Sequence, residues 1–296
     1  MRALRLHPPG GVDRLVQEQV EVPRPAAGEA LVRVHAAAIT RDELDWPLDR
    51  LPAIPSYELS GVVEAVAPGV DGVAVGEAVY ALSGFDRDGA AAEYAALPAA
   101  LLAPKPRTLG HVESAAIPLA GLSAWQGLFT HGRLDRGERV LVHGAAGGVG
   151  GFAVQLARWR GAEVIGTAST GNLDAARRLG AGRVVDHTTR FEDAVGQVDL
   201  VFDTAGGERL ARSPAVLRPG GRLVSVAAEP PQAPGVDAVY FVVEPDREQL
   251  VRLARLVDGG DLRPTVDAVF PLDDAREAFA RSLGRHGGGK IVLRVI

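Results

Sequence analysis

The spacing of apolar residues changes character once along this chain, near His111. Before that point apolar and polar positions alternate in short runs, the period of strands with one buried face. Ala3 to Leu6 and Leu15 to Val22 read as strands, and a turn in PRPAAGEA (residues 23–30) leads to a third, LVRVHAAAI (31–39). Between Thr40 and Tyr57 the alternation is lost, and Pro52 and Pro55 keep the stretch from being helical. It carries Arg41, Asp42, Glu43, Asp45 and Trp46. Residues 60–82, SGVVEAVAPGVDGVAVGEAVYAL, alternate Val-rich strands with Pro-Gly and Asp-Gly turns. The β pattern then runs through Glu93 and Tyr94 to about Pro106.

Beyond His111 the period lengthens. HVESAAIPLAGLSAWQGLFTHG (111–132) predicts a helix interrupted around Pro118 and Gly121. From Arg139 onward strands at 139–143, 162–167, 183–186, 198–203, 221–226 and 237–243 alternate with helices that include 148–160, 172–180, 206–217 and 245–258. That alternation predicts a doubly wound parallel sheet. After about Pro264 a strand (266–270), a helix (272–283) and a last strand (289–295) fit back onto the first unit. The fold class expected is therefore α/β plus β. A discontinuous β domain of residues 1–116 and 264–296 would flank a nucleotide-binding domain of residues 117–263.

The stretch Arg139 to Arg160, RVLVHGAAGGVGGFAVQLARWR, joins a buried strand to a helix through a glycine-dense turn. This geometry offers free backbone N–H groups and a positive helix end to a diphosphate. Gly144 makes the sharp exit, Gly147 allows close approach of a ligand, and Gly150 lets the helix lie against the sheet. The spacing is GxxGxxG rather than the usual GxGxxG.

Composition narrows the class. Of 296 residues, 47% are hydrophobic and 23% charged, the balance of a soluble globular protein. The net charge of −5 has no block of like charges, which argues against a nucleic-acid surface or a basic membrane-binding face. No apolar run approaches the ~20 residues of a membrane helix. The N-terminus lacks the apolar core of a secretory signal, so the expected location is cytoplasmic. With no cysteine, neither a disulfide nor a thiolate zinc site can form. His7, His35, His111, His131, His143, His187 and His286 never pair at the i, i+4 spacing of a helical metal site, and no metal is expected.

The ordered motifs GEALVRVHAAAI, YELSGVVEAVAPGVDGVAVGEAVYAL, AAEYAALPA, PLAGLSAWQGL, VHGAAGGVG, VFDTAGG, LRPGGRLVS and GGKIVLRV span essentially the whole chain. In them the sequence resembles the medium-chain dehydrogenase/reductase superfamily, in particular its zinc-free quinone oxidoreductase (zeta-crystallin-like) branch. The resemblance implies a GroES-like β-barrel domain with a doubly wound Rossmann domain. It departs from the zinc-dependent members at Tyr57, where they carry a histidine, at Ile39–Thr40, where they carry a cysteine, and in lacking their four-cysteine lobe. A zinc alcohol dehydrogenase mechanism is thereby excluded. Many quinone reductases have asparagine where this chain has Thr40.

The second strand of the predicted sheet ends in Gly166, Thr167, Ala168, Ser169 and Thr170, with no acid to bind a ribose diol. Small hydroxyl residues admit a 2′-phosphate, so NADPH is the expected cofactor. By resemblance it would be held by Ser123, the turn residues Gly144, Ala146, Gly147, Gly148, Val149 and Gly150, then Thr167, Ser169, Asn172 and His187, with Thr204, Ala205 and Lys290. Relatives often carry lysine at about the place of Asn172. Arg177, Arg178, His187 and Lys290 are candidates for the missing charge, the two arginines reading more readily as a solvated helix face. The reaction implied is hydride transfer to a quinone or an α,β-unsaturated carbonyl compound. Tyr57 and Thr40 are the catalytic candidates as hydrogen-bond donors, Tyr57 being readable also as an aromatic wall. Glu58 is the weaker acid candidate, and Trp46 either a lid or a packing anchor. Two other readings stand beside this one: an enoyl reductase of secondary metabolism, with or without cyclisation, and an NADPH-binding sensor or structural protein. The apolar edge strand at 236–243 implies a homodimer.

Overall fold

Burial on one face sets the length and pairing of the first strands. In the computed structural model, which describes residues 1–284 and 288–296, β1 (Arg2–Leu6) and β2 (Leu15–Gln19) form an antiparallel pair. The eleven-residue β3 (Glu29–Ile39) pairs antiparallel with β4 (Glu58–Val66), and β4 with β5 (Ala78–Leu82). β6 (Tyr94–Pro98) lies against β3, and the two-residue β7 (Ala103–Pro104) against β5. Two single 3₁₀ turns, Glu43–Asp45 and Leu48–Arg50, occupy the irregular stretch. Its apolar anchors are Leu44 and Ile54, which join the core of this unit.

Two helices, α1 (His111–Ala115) and α2 (Pro118–Trp125), lead out of the β unit. The break falls before Pro118, which opens α2 where a missing N–H costs nothing. Gly121 does not interrupt the helix as its composition suggested. It sits inside α2, and a Cβ there would lie 3.0 Å from the Leu253 side chain. The glycine thus serves close helix packing. α2 runs on into a turn of π-helix at Gln126–His131.

Then come β8 (Arg139–His143), α3 (Gly148–Arg160), β9 (Glu163–Ala168), α4 (Leu173–Leu179), β10 (Arg183–Asp186), α5 (Glu192–Val195), β11 (Val198–Asp203), α6 (Gly207–Arg212), β12 (Leu217–Ser225), β13 (Asp237–Tyr240) and α7 (Arg247–Asp258). The six strands are all parallel, in the order β10-β9-β8-β11-β12-β13. Successive β8 residues belong to opposite faces: Val140 and Val142 pack in one cluster, Leu141 in another. A sheet buried on both faces explains the near-continuous apolar runs. The helix expected over 206–217 is shorter, because Pro214 has no amide to continue α6 and the chain closes in a 3₁₀ turn, Ser213–Val216. The short α5 was not legible in the sequence.

β14 (Val266–Pro271), α8 (Ala275–Leu283) and β15 (Lys290–Arg294) return to the first unit. β15 pairs antiparallel with β3, setting Ile291 opposite Ile39. The larger sheet thus has seven strands, ordered β14-β15-β3-β4-β5-β7 with β6 on β3. A bridge between Gly147 and Gly289 ties the glycine turn to the start of β15. That bridge and the β15–β3 pairing bring the two units together at one place.

Gly61 on β4 faces Val34 of β3, where the register shifts. A Cβ there would overlap the Arg33 carbonyl oxygen. Gly61→Ala is expected to lower stability by about 1–3 kcal/mol, the usual cost of overpacking against atoms that cannot move. Urea unfolding should show a lower midpoint with an unchanged slope.

Candidate active site

The carboxyl ends of β8, β9, β10 and β11 open on a cavity of about 380 Å³, the place where open parallel sheets bind ligands. Its centre is the glycine turn. Gly144 leaves β8 with φ +76°, and a Cβ there would lie 2.6 Å from Thr204 Oγ1. That hydroxyl donates to the His143 carbonyl at 2.7 Å. Gly147 caps α3 with ordinary φ −74°. Gly150 faces back on the turn, since a Cβ there would overlap the Gly144 carbonyl. Its bare Cα therefore serves the turn's own backbone rather than helix–sheet contact. The amides of Gly148, Val149 and Gly150 are in the first turn of α3, which has no intrahelical partners for them.

The wall holds Gly144, Ala146, Gly147, Gly148 and Val149 from the turn, Thr167, Ser169 and Asn172 from β9 and the loop after it, His187 after β10, and Thr204 after β11. The β unit contributes Ile39, Thr40, Arg41 and Lys290. Four expected site residues are not on it. Gly150 and Ala205 lie just behind it, and Ser123 is buried within α2. Tyr57 is wholly buried, and its phenol accepts a hydrogen bond from Arg50 Nη2 at 2.9 Å. Burial pushes that phenol up to about 12. Trp46 packs on Tyr57 and Phe85, with ring centroids 5.5 and 5.0 Å away, as an anchor of this aromatic cluster. Arg209 and Ser282 line the cavity without having been singled out in the sequence, and Arg41, noted there only as part of the irregular stretch, lines it too. Arg41 and Arg209 each follow a motif residue by a few positions, but read alone each is an ordinary surface arginine. His286 lies outside the described residues.

Beneath Thr40 lies a buried charge cluster. The Lys290 ammonium pairs with the Glu58 carboxylate and donates to Thr40 Oγ1 at 2.9 Å. The other Glu58 oxygen accepts from the Leu119 amide at 2.8 Å, in the first turn of α2, where negative charge is favoured. Glu43 accepts from the amides of Thr40 at 3.0 Å and Ser56 at 3.2 Å. Burial pushes its carboxyl up to about 8, although these bonds and Lys290 pull the other way. At neutral pH the cluster therefore holds one ion pair and one neutral acid. Of the charge candidates, Lys290 spends its ammonium here, and Arg177 pairs with Asp174 at 2.6 Å.

Behind the turn, His143 is fully buried between Thr167 Oγ1 at 3.0 Å and Ser213 Oγ at 3.1 Å. Ser213 donates its one proton to the Arg209 carbonyl at 2.7 Å. This assigns Nε2–H as the donor to Ser213, and Nδ1 as acceptor from Thr167. Burial first, then Arg209 and Arg212, push the imidazole down to about 3.

This fold and cleft are matched by known proteins. The description "Alcohol dehydrogenase GroES-like domain" matches residues 26–107, and "Zinc-binding dehydrogenase" matches residues 179–293. The 2-methylene-furan-3-one reductase of Solanum lycopersicum is 34% identical over 97% of this chain and 77% of its own length. The chloroplastic NADPH-dependent alkenal/one oxidoreductase of Arabidopsis thaliana is 32% identical over 96% and 77%. Among solved structures, the quinone oxidoreductase from Coxiella burnetii superposes with a TM-score of 0.90 at 28% identity, covering 100% of this chain and 99% of that one. The chain belongs to the quinone oxidoreductase-like branch of the medium-chain dehydrogenase/reductase superfamily. It is an oxidoreductase with a GroES-like unit and a Rossmann sheet. Although one matching description names zinc, no three His, Asp or Glu side chains converge as metal ligands among the described residues.

The His143 shift gives this enzyme an acid limit. An unfolded histidine titrates near 6.5 and the folded one near 3, so between these values the unfolded chain binds more protons. Stability is expected to fall as pH drops below about 6.5, by at most about 1.4 kcal/mol per unit from this group. The urea midpoint should fall less between pH 7 and pH 5 in His143→Asn than in the parent.

Proposed function

We propose that the cleft binds NADPH and that the enzyme reduces an α,β-unsaturated carbonyl compound or a quinone. The observation that carries this reading is the cavity itself. Unpaired first-turn amides of α3, an acid-free rim at Ser169 and Asn172, and Thr40 of the β unit share one wall. The residues fit a dinucleotide phosphate. The glycine backbone is bare toward the cavity, and Lys290 lies along Gly148, where a Cβ would sit 3.0 Å from its Cδ. Bound there, NADPH would supply the hydride.

The protein's part is to stabilise the negative charge that reduction puts on the substrate oxygen. Thr40 is the donor we assign. Its Oγ1 accepts from Lys290, so its own proton is free for the substrate, and the ammonium makes it a stronger donor. Tyr57 has its phenol oxygen on Arg50 and serves as the aromatic wall behind the site. Glu58 pairs with Lys290 and holds its ammonium beneath Thr40. The two plant relatives are named for unsaturated carbonyl substrates, which favours an enone over a quinone here. Loss of absorbance at 340 nm with NADPH and an enone should be enzyme-dependent. Thr40→Val should lower kcat by roughly a hundredfold and Tyr57→Phe by only a few-fold. A Thr40→Val enzyme with parental kcat would remove Thr40 from the chemistry, and inertness toward every enone and quinone would remove the reading.

The proposal includes a homodimer. β13 ends the parallel sheet, its neighbour being β12 alone, and Tyr240 and Val242 are exposed there. Light scattering at micromolar concentration should give twice the chain mass; a monomer would refute this part.

A further inference from the structure

We infer that Arg209 is the cation that takes the 2′-phosphate of NADPH; this rests on the NADPH reading above. Arg209 is half-buried and lies on the cavity wall with Ser169, Asn172 and His187. Its Nε is shielded from water and has no hydrogen-bond partner among the described residues. With Nε covered by the protein itself, the two Nη groups are what Arg209 can offer to an anion in the cavity it lines.

The other cations of the wall are committed. Lys290 pairs with Glu58, and Arg41 donates to the Leu283 carbonyl at 3.0 Å. No acid on the wall competes for Arg209. Asp203, in the preceding strand, spends Oδ2 on the Gly206 amide at 2.9 Å and Ser225 Oγ at 3.1 Å and has Oδ1 3.4 Å from the Ala205 amide; it feels the charge of Arg209 but forms no ion pair with it among the described residues. Asp186, at the end of β10, is occupied by Thr170 and Thr188 and does not border the cavity.

Local geometry holds the arginine in place. Gly206 and Gly207, with φ +66° and +70°, turn the chain sharply into α6. The Arg209 carbonyl is then fixed by Ser213, itself bonded to buried His143. The planar Nη1/Nη2 end of a guanidinium suits two phosphate oxygens at once, and Asn172 and Ser169 supply neutral polar groups on the same cavity wall. The charge that relatives place in the loop after β9 would here come from across the cavity.

The test measures dissociation constants of NADPH, NADH, adenosine 2′,5′-bisphosphate and AMP for the parent, Arg209→Ala and Arg209→Gln. Both variants should weaken NADPH and the bisphosphate at least tenfold and leave NADH and AMP within twofold. Retained NADH affinity also shows that the variants are folded. If all four ligands weaken together, Arg209 is a wall of the adenosine pocket and the inference fails. It fails equally if none weakens. If the parent already binds NADH as tightly as NADPH, the NADPH reading fails first, and Arg209 with it. Parental preference for NADPH that survives in both variants overturns Arg209 alone.

Discussion

A nearly dry ion pair, Lys290 with Glu58, stands where the two units meet. One partner opens β15 and the other opens β4, while the free carboxylate oxygen holds the first turn of α2. The interaction therefore ties the C-terminal strand, the β unit and the helix that leads into the parallel sheet. Removing one partner of such a pair leaves an uncompensated buried charge, a loss of about 3–5 kcal/mol. The Gly147–Gly289 bridge and the β15–β3 ladder deliver the lysine to this spot. The same arrangement leaves a positive charge beneath Thr40, so one contact both closes the fold and prepares the cleft.

The glycine turn works by a similar economy of space. Gly144 is needed for its left-handed conformation and because Thr204 presses against it. Gly150 is needed because the helix returns onto the carbonyl of that same residue. A GxxGxxG spacing thus produces a turn that closes on itself, with α3 starting directly beneath the ligand space. His143, neutral and saturated by two hydroxyls, supports this turn from behind without placing charge near it.

The candidate site was partly legible. The glycine turn, the acid-free end of β9, Thr40 and Lys290 were found from local sequence and resemblance, and all lie on one cavity wall. Tyr57, readable as a donor or as an aromatic wall, is not on the cavity lining, because its position in a motif says nothing about where its ring turns. Arg50, Trp46 and Phe85 draw it into a closed cluster. Arg209 passed unnoticed for the opposite reason. On a six-residue helix with other charges it resembles a solvated face, and only its place on the cavity wall, with no ion pair among the described residues, sets it apart.

The sequence by itself determined the two units, the order of the strands and of every helix but the short α5, the position of the glycine turn and the lack of thiolate ligands. These follow from periodicity and backbone chemistry acting within windows of about ten to twenty residues. Only the tertiary structure decided which polar side chains share the cleft and which are spent elsewhere. Thr40, Glu58, Arg209 and Lys290 are far apart along the chain, and their charges and donors acquire meaning from partners that long-range strand pairing selects.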